Sequence, residues 1–391
     1  MHFVRASNAF RSLSMHIYYN DWKAGGKLAI YFGLIGLVLG LPAVLYFAEI
    51  SEERKNKIVL RCSAIAVFLL LALKNETVGS DISGYKEQYM LCKIMPWDNY
   101  SYVYYEHGYL FITKLFAKLG FSFQLFTVVI YAFVCMSLYL FIKRYSVNTT
   151  MSMLIFVCYQ FFVFYISGLR QTIALSVCML AYLIFDRSNG NKIFNTIISV
   201  SLVILASTVH KSALCFLIVY VLSINRIKGI LHFLVFVPIV GGLVLFRGQI
   251  LEFINALFSY ENTSGGIRIS GNLIFLIATT MLCIFAAFQL NANKKELSAD
   301  KYDFKNIVFT ADILIFVVTF NIVFSGSTLI RSLMYFTLFL IPGIPLMLSC
   351  FERNIRIVMT FLFGILFVYL FVHDTLLPNQ LNLCPYMFFW Q

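Results

Sequence analysis

The feature that most limits what this chain can fold into is the recurrence of long apolar runs. Segments 28–48, 58–74, 122–142, 151–169, 171–185, 193–209, 212–224, 230–246, 271–290, 306–324, 329–349 and 357–373 are built almost wholly from aliphatic and aromatic residues. A helix rises about 1.5 Å per residue, so some 20 such residues cross about 30 Å of hydrocarbon. The runs are continuous rather than alternating, which excludes a lipid-spanning barrel. The expectation is an all-α, polytopic transmembrane helical bundle of about twelve spans, with 212–224 the shortest. Composition agrees: 60% of the 391 residues are hydrophobic and 12% charged, against about 25% charged in soluble proteins.

Organisation follows from where the runs begin. Residues 1–27 read as an N-terminal extension and 28–390 as a single membrane domain interrupted by a long polar loop, 75–121. The opening "MHFVRASNAFRSLS" lacks the apolar core of a signal peptide, which makes Met15 a candidate start.

A net charge of +12 invites the thought of nucleic acid, but in a membrane chain it first reports orientation, and no nucleic-acid partner is implied. Loops 49–61, 143–150, 186–192, 225–229, 291–305 and 350–357 hold 16 of the 30 Lys and Arg in 56 residues. The positive-inside rule makes them cytoplasmic and the loop 75–121 external. The N-terminus then falls outside, against the sign of its own Arg5, Arg11, Lys23 and Lys27. Whatever the absolute orientation, an even number of crossings separates Asp81, Glu106, Arg170, His210 and Arg331. All five are expected at one face.

Arg170, in "SGLRQTIA", is the only charged residue between Met151 and Phe185. A charge at mid-helix costs about 2.5–3.5 kcal/mol on insertion scales, and less near the interface. Two readings fit it: an anchor snorkelling to headgroups, or an anion contact, since a guanidinium fork beside a helix N-terminus suits phosphate. Polar Gln171 follows it. His210, in "ASTVHKSALC", stands at a similar junction with Lys211 behind it; it is a hydrogen-bonded cap or, titrating near neutral pH, a general base. Arg331 opens "RSLMYFTLFLIPGIPL", with Tyr335 one turn further on, and Pro342 and Pro345 should kink that helix.

The loop pieces "VGSDISGYKEQYM" and "YYEHGYLFITKLFAKLGF" concentrate Tyr, Asp, Glu and Gly. Rings such as Tyr85 and Tyr109 can stack on sugars, and carboxylates such as Asp81 and Glu106 can accept sugar hydroxyls, so this loop points to a carbohydrate cleft. Apolar positions 110, 111, 115, 116 and 119, with Lys114 and Lys118 between them, predict an amphipathic helix lying at the interface. Asp312 reads as a structural group inside a span. Arg247 and Arg268 bracket an external loop holding Gly265 and Gly266, which reads as a solvated loop or, alternatively, as a flexible, anion-attracting lid. The nine cysteines form no metal-ligand spacing and read as packing residues; Cys92 and Cys384 are the pair that could meet across one face. No nucleotide-binding or hydrolase motif appears, so energy must come from the substrate or a gradient.

In order, "VGSDISGY" (78–85), "YEHGY" (105–109), "GLRQTIALSVCMLAYLIF" (168–185), "LASTVHKSAL" (205–214) and "RSLMYF" (331–336) resemble the EpsG family of Wzy-type polysaccharide polymerases, as does the terminal "CPY" (384–386). One departure is Lys74-Asn75, where the family pattern leads one to expect an arginine nearer "VGSD". The resemblance implies a multi-pass enzyme of the bacterial plasma (inner) membrane. Its substrate would be oligosaccharide repeat units on undecaprenyl diphosphate, joined at the outer leaflet into O-antigen, capsule or exopolysaccharide, with a flippase and a chain-length regulator as partners. In that reading Arg170, Arg331 and Lys211 stabilise the departing diphosphate, His210 takes the acceptor proton, and Glu106 or Asp81 orients the acceptor or replaces His210. Tyr85, Tyr109, Gln171 and Tyr335 would line the substrate. Two cations can do the leaving-group work of a divalent metal, so no metal or other cofactor is expected. A flippase for the same lipids would instead place charges through both leaflets and repeat one half in the other. A ligase-like or acyl-transferring enzyme would differ in acceptor or donor.

Overall fold

The computed structural model describes residues 28–97, 105–187, 191–224, 241–258, 270–292, 301–325 and 328–391. The extension 1–27 with Met15, the Gly265–Arg268 loop and the first part of the expected span 230–246 lie outside these. Among the described residues the chain is helical, with one isolated antiparallel bridge, Lys74 to Phe388.

Helix α1 is Ala29–Tyr46, α2 Glu52–Ala72, α3 Ile82–Ile94 and α4 His107–Lys118. Then come α5 (Phe123–Tyr145), α6 (Thr149–Cys158), α7 (Phe161–Ser167), α8 (Leu169–Phe185) and α9 (Lys192–Val209). A tight 3-10 turn over Lys211–Phe216 leads into α10 (Leu217–Ile224), followed by α11 (Arg247–Phe258), α12 (Gly271–Ala292) and α13 (Lys301–Val323). A second 3-10 turn, Thr328–Leu333, precedes α14 (Met334–Thr337), α15 (Leu340–Ser349) and α16 (Arg353–Leu370). Polar caps start several of them: Ser122 Oγ accepts the Leu125 N–H at 3.1 Å and Asn148 Oδ1 the Met151 N–H at 3.0 Å, each satisfying an end N–H that lipid could not.

Among the described residues six helices are long and apolar enough to cross a membrane, or up to eight if each of two bent pairs is one span. The sequence suggests about twelve, and the shortfall has identifiable causes. Run 58–74 belongs to α2, whose first turns carry Arg54, Lys55, Lys57 and Arg61. Run 171–185 is α8, a 17-residue helix, and 212–224 splits into a 3-10 turn and the short α10.

The two bends have local chemistry. Helices α6 and α7 meet at 50°, where Gln160 takes a left-handed conformation at φ 60°. The second bend, 46° between Leu329–Thr337 and Leu340–Ser349, lies just before Pro342, whose ring clashes with a carbonyl one turn back. Pro345 frees the Ile341 carbonyl, and Ser152 Oγ donates to that oxygen at 2.8 Å. A freed carbonyl inside lipid is tolerated because a neighbouring helix satisfies it.

Helices α6, α7, α8 and α15 are buried on nearly every face, whereas α1, α9 and α16 keep broad exposed apolar surfaces. That is the arrangement of a membrane protein with a packed centre and a lipid-facing ring. Asp312 is buried within α13. Arg247 is pinned to the end of α13, donating to the Val323 and Ser325 carbonyls at 2.7 and 3.0 Å. All nine cysteines are free, Cys92 and Cys384 included.

Helix α4 differs from its sequence pattern. Tyr109, Leu110, Thr113, Lys114 and Ala117 face inward, while Phe111, Leu115 and Leu119 are exposed. Lys114 is therefore core, its Nζ donating to the Pro96 and Trp97 carbonyls at 3.0 and 3.2 Å. Apolar residues outside and a lysine inside are what a helix against lipid, rather than against water, would show.

The tail after α16 returns to the α2–α3 junction. Asn75 N–H donates to Met387 O at 2.8 Å, Phe389 N–H to Leu73 O at 2.9 Å and Gly79 N–H to Asn382 O at 3.1 Å. Tyr386 and Tyr31 hydroxyls donate to the Leu70 and Leu383 carbonyls, each at 2.7 Å. Gly79, at φ 105°, lets the chain pass the Ile166 carbonyl, which would lie 2.8 Å from an added Cβ. Tyr386→Phe should therefore leave the buried Leu70 carbonyl short of a donor and lower stability by about 1 kcal/mol, read as a drop in the thermal unfolding midpoint of the detergent-solubilised protein.

Candidate active site

Three helix boundaries meet at one carboxylate. Glu106 precedes α4 in an extended conformation, Arg170 is the second residue of α8, and His210 turns the chain from α9 into the 3-10 segment. Glu106 Oε2 accepts a hydrogen bond from Arg170 Nη1. Its Oε1 pairs with His210 Nδ1 at 3.1 Å and accepts the Lys211 backbone N–H at 3.3 Å. The side chains of Glu106, His210 and Arg170 are 12%, 24% and 21% exposed, so the triad is sheltered yet reachable.

Electrostatics fix the protonation pattern. Burial pushes the Glu106 carboxyl upward, but the His210 hydrogen bond and the Arg170 charge outweigh it and hold the group at about 2. An ionised carboxylate only accepts, so His210 Nδ1 is the donor and carries the hydrogen. In neutral His210 the lone pair then lies on Nε2, which has no partner among the described residues.

Arg170 is held from the other side by aromatic rings. Its guanidinium carbon lies 4.3 Å from the Tyr105 centroid and 6.0 Å from that of Tyr85. Tyr85, Tyr105 and Tyr109 pack on one another with centroids 5.6–5.7 Å apart. Tyr85 and Tyr109 are thus buried walls for the arginine rather than open sugar platforms.

The other expected residues take distinct places. Gln171 Nε2 donates to the Arg331 carbonyl at 2.8 Å, fixing the backbone of Arg331 beside the start of α8. The side chains of Arg331 and Lys211 are exposed. Tyr335 is fully buried next to Ser212. Asp81 stays outside the triad: it is exposed, accepts from Ser80 Oγ at 3.0 Å, and its N–H donates to Ser167 Oγ at 3.3 Å. The structure thus brings together Glu106, Arg170, His210 and Lys211, with Gln171, Arg331, Tyr85 and Tyr109 around them.

A group of unsatisfied polar atoms marks the same place. Among the described residues, the buried atoms that complete no hydrogen bond include Arg170 Nε and the hydroxyls of Tyr109, Thr172, Ser212 and Tyr335. Buried polar groups without partners are costly and uncommon. Their gathering round one triad suits a polar ligand.

Sequence reasoning missed Tyr105, Gly108 and the Ser80–Ser167 pair. Gly108 has a mechanical role: a Cβ there would lie 2.2 Å from Thr208 Oγ1 and 2.8 Å from the Thr208 carbonyl. Only a glycine lets the start of α4 approach the end of α9 closely enough for Glu106 to reach His210. The "YEHGY" spacing shows the glycine; nothing in it shows the backbone it meets.

The family model for the EpsG family matches residues 57–388. The chain belongs to the EpsG family. The match runs from α2 to the tail and includes every residue of the triad. Comparison with curated proteins and with solved structures finds no match. EpsG membership accords with a membrane protein of polysaccharide biosynthesis.

Two outcomes are expected. Gly108→Ala should overpack the α4–α9 contact, cost about 1–3 kcal/mol and reduce activity, whereas Gly36→Ala, with nothing within 4 Å, should do neither; thermal unfolding distinguishes them. Because the Glu106 pKa is lowered on folding, its contribution to stability is fully present above about 4.5 and lost as pH falls through about 2. Glu106→Gln should flatten that part of the stability–pH curve of the purified protein.

Proposed function

We propose that the protein polymerises undecaprenyl-diphosphate-linked oligosaccharide repeat units into O-antigen, capsular or exopolysaccharide at the outer face of the bacterial plasma membrane. The observation that carries this reading is the Glu106 carboxylate held between Arg170 and His210, in a chain of the EpsG family. The positive-inside pattern, which puts the triad and the 75–121 loop outside, supports it.

In the reaction, an acceptor-sugar hydroxyl oxygen attacks the anomeric carbon of the donor glycan. The anomeric C–O bond to the diphosphate breaks and its electron pair stays on the departing oxygen. His210 Nε2 takes the hydroxyl proton, and the resulting imidazolium is stabilised by Glu106 through Nδ1. Negative charge grows on the diphosphate, where the sheltered Arg170, with Arg331 and Lys211 at the exposed rim, supplies cations. Arg170 Nε, which completes no hydrogen bond among the described residues, is a further donor that suits a phosphate oxygen. Asp81, at the rim, orients the acceptor. A flippase would deliver the lipid-linked units, and a chain-length regulator would set the product size.

Arg170→Ala and His210→Ala, expressed where the chromosomal copy is deleted, should each reduce polymerisation by about 10²–10³-fold, read as surface glycan shortened to single repeats on a gel. Arg170→Lys should recover only part, because an ammonium has neither the planar fork nor the ring stacking. Long glycan from a well-inserted Arg170→Ala protein would remove the arginine from the site. Purified protein incubated with lipid-linked repeat units should yield longer glycans; relocation of the lipid without bond formation would identify a flippase.

A further inference from the structure

The end of α2 away from the triad carries a cluster that the proposed reaction leaves unused. A cleft of 440 Å³ is lined by Ser51, Glu53, Arg54, Lys57, Ile58 and Arg61. Lys57 is bonded to Glu53 at 2.5 Å, so the single carboxylate of the cleft is occupied. Arg54 and Arg61 are exposed and form no ion pair with any described residue. Among the described residues the cleft therefore presents two guanidiniums that are not ion-paired.

The helix face that bears these cations continues into lipid. Lys57, Arg61, Ile65 and Leu69 recur every four residues and lie one above another. Ile65 and Leu69 are 58% and 44% exposed, while Val67, Leu70 and Leu71 on the opposite face are buried. From Lys57 to Leu69 the helix rises about 18 Å, close to the depth of one leaflet. Tyr46 and Phe47, at the adjoining end of α1, are strongly exposed, with Lys55 Nζ 5.9 Å from the Tyr46 ring centroid. Aromatic rings and cations at one level are what a membrane–water boundary selects.

The geometry points to a binding site for an anionic phospholipid: its phosphate on Arg54 and Arg61, one acyl chain along Ile65 and Leu69. A zwitterionic lipid brings its own cation to the phosphate and leaves the guanidiniums less well matched. An acidic peptide could answer the charges, but it has no use for the apolar surface that continues from them. The site lies at the Glu52 end of α2, on an element that carries no residue of the triad, and is independent of the reaction assigned there.

The full-length protein is to be placed in nanodiscs of phosphatidylcholine containing a small fraction of phosphatidylglycerol bearing a photoreactive acyl chain. Cross-linked peptides are then mapped, and bound lipid is counted by native mass spectrometry. The expected result is preferential retention of phosphatidylglycerol, with labels on residues 51–69. Arg54→Gln with Arg61→Gln should weaken retention about thirtyfold, from the loss of two interfacial cations, while Arg54→Lys with Arg61→Lys retains most of it. Equal retention of the two lipids by the wild-type protein overturns the proposal, as does labelling confined to other helices. So does displacement of bound phosphatidylglycerol by a poly-glutamate peptide at equal charge concentration, which would assign the cleft to an acidic protein partner. The first two readouts use the wild-type chain and stand even if the glutamine variant fails to fold.

Discussion

One half-buried carboxylate organises this end of the molecule. Glu106 accepts from Arg170, His210 and the Lys211 backbone at once, and those partners belong to α8 and to the turn after α9. Charges placed among apolar helices are tolerated when paired and hydrogen-bonded, and removing one partner from a buried pair costs about 3–5 kcal/mol because the other is left uncompensated. The pairing therefore ties the start of α4 to α8 and to the turn after α9. Gly108 against Thr208 makes the approach sterically feasible, and the Tyr85, Tyr105 and Tyr109 rings close the side of Arg170 that would otherwise face the α3–α4 hairpin empty.

Interrupted helices supply the rest. A continuous span hides its backbone and points side chains sideways, whereas a break exposes helix ends and brings unrelated segments together. Here α7 ends at Ser167, α8 begins at Leu169 and α9 ends before His210. The Ser80–Ser167 hydroxyl pair at 2.8 Å joins the α7 end to the α3 start. Behind it, Lys74 Nζ donates to the Tyr131 hydroxyl at 2.8 Å, which donates to the Tyr165 carbonyl at 2.9 Å. The lysine that departs from the expected arginine is thus turned inward, as part of the support for the α7–α8 junction.

The legible part of this chain was its class: continuous apolar runs point to an all-helical membrane protein, and the described residues are helical. The common face expected for Asp81, Glu106, Arg170, His210 and Arg331 rested on a count of about twelve spans, whereas six to eight are found among the described residues; the structure itself bonds Glu106, Arg170 and His210 together. Span number was less legible, because length and hydropathy do not tell a through-going helix from a broken one. Proline could warn of the bend near Leu338, but nothing local announces a left-handed Gln160. Lys114 was misplaced for a related reason: periodicity identifies a face and composition suggests what it touches, yet the carbonyls of Pro96 and Trp97 that hold its ammonium come from the segment that follows α3. Tertiary partners of this sort have no sequence signature.

The proton inventory narrows what the sequence left open among His210, Glu106 and Asp81. A carboxylate held at about 2 is too weak a base to take a proton from a sugar hydroxyl near neutral pH, where catalysis favours a group whose pKa lies close to the working pH. Glu106 is better suited to orient: by accepting from Nδ1 it fixes the tautomer and ring plane of His210 and opposes the charge that appears when Nε2 is protonated. Asp81 stands outside this chain of bonds, tied to Ser80 and Ser167 at the rim. Among the described residues that leaves His210 Nε2, in the neutral imidazole, as the group with an unshared lone pair at the triad, with the cation Arg170 beside it. In the proposed reaction, a base and a cation side by side separate the two charges to be handled, the acceptor proton and the departing diphosphate. The carboxylate between them keeps each in place.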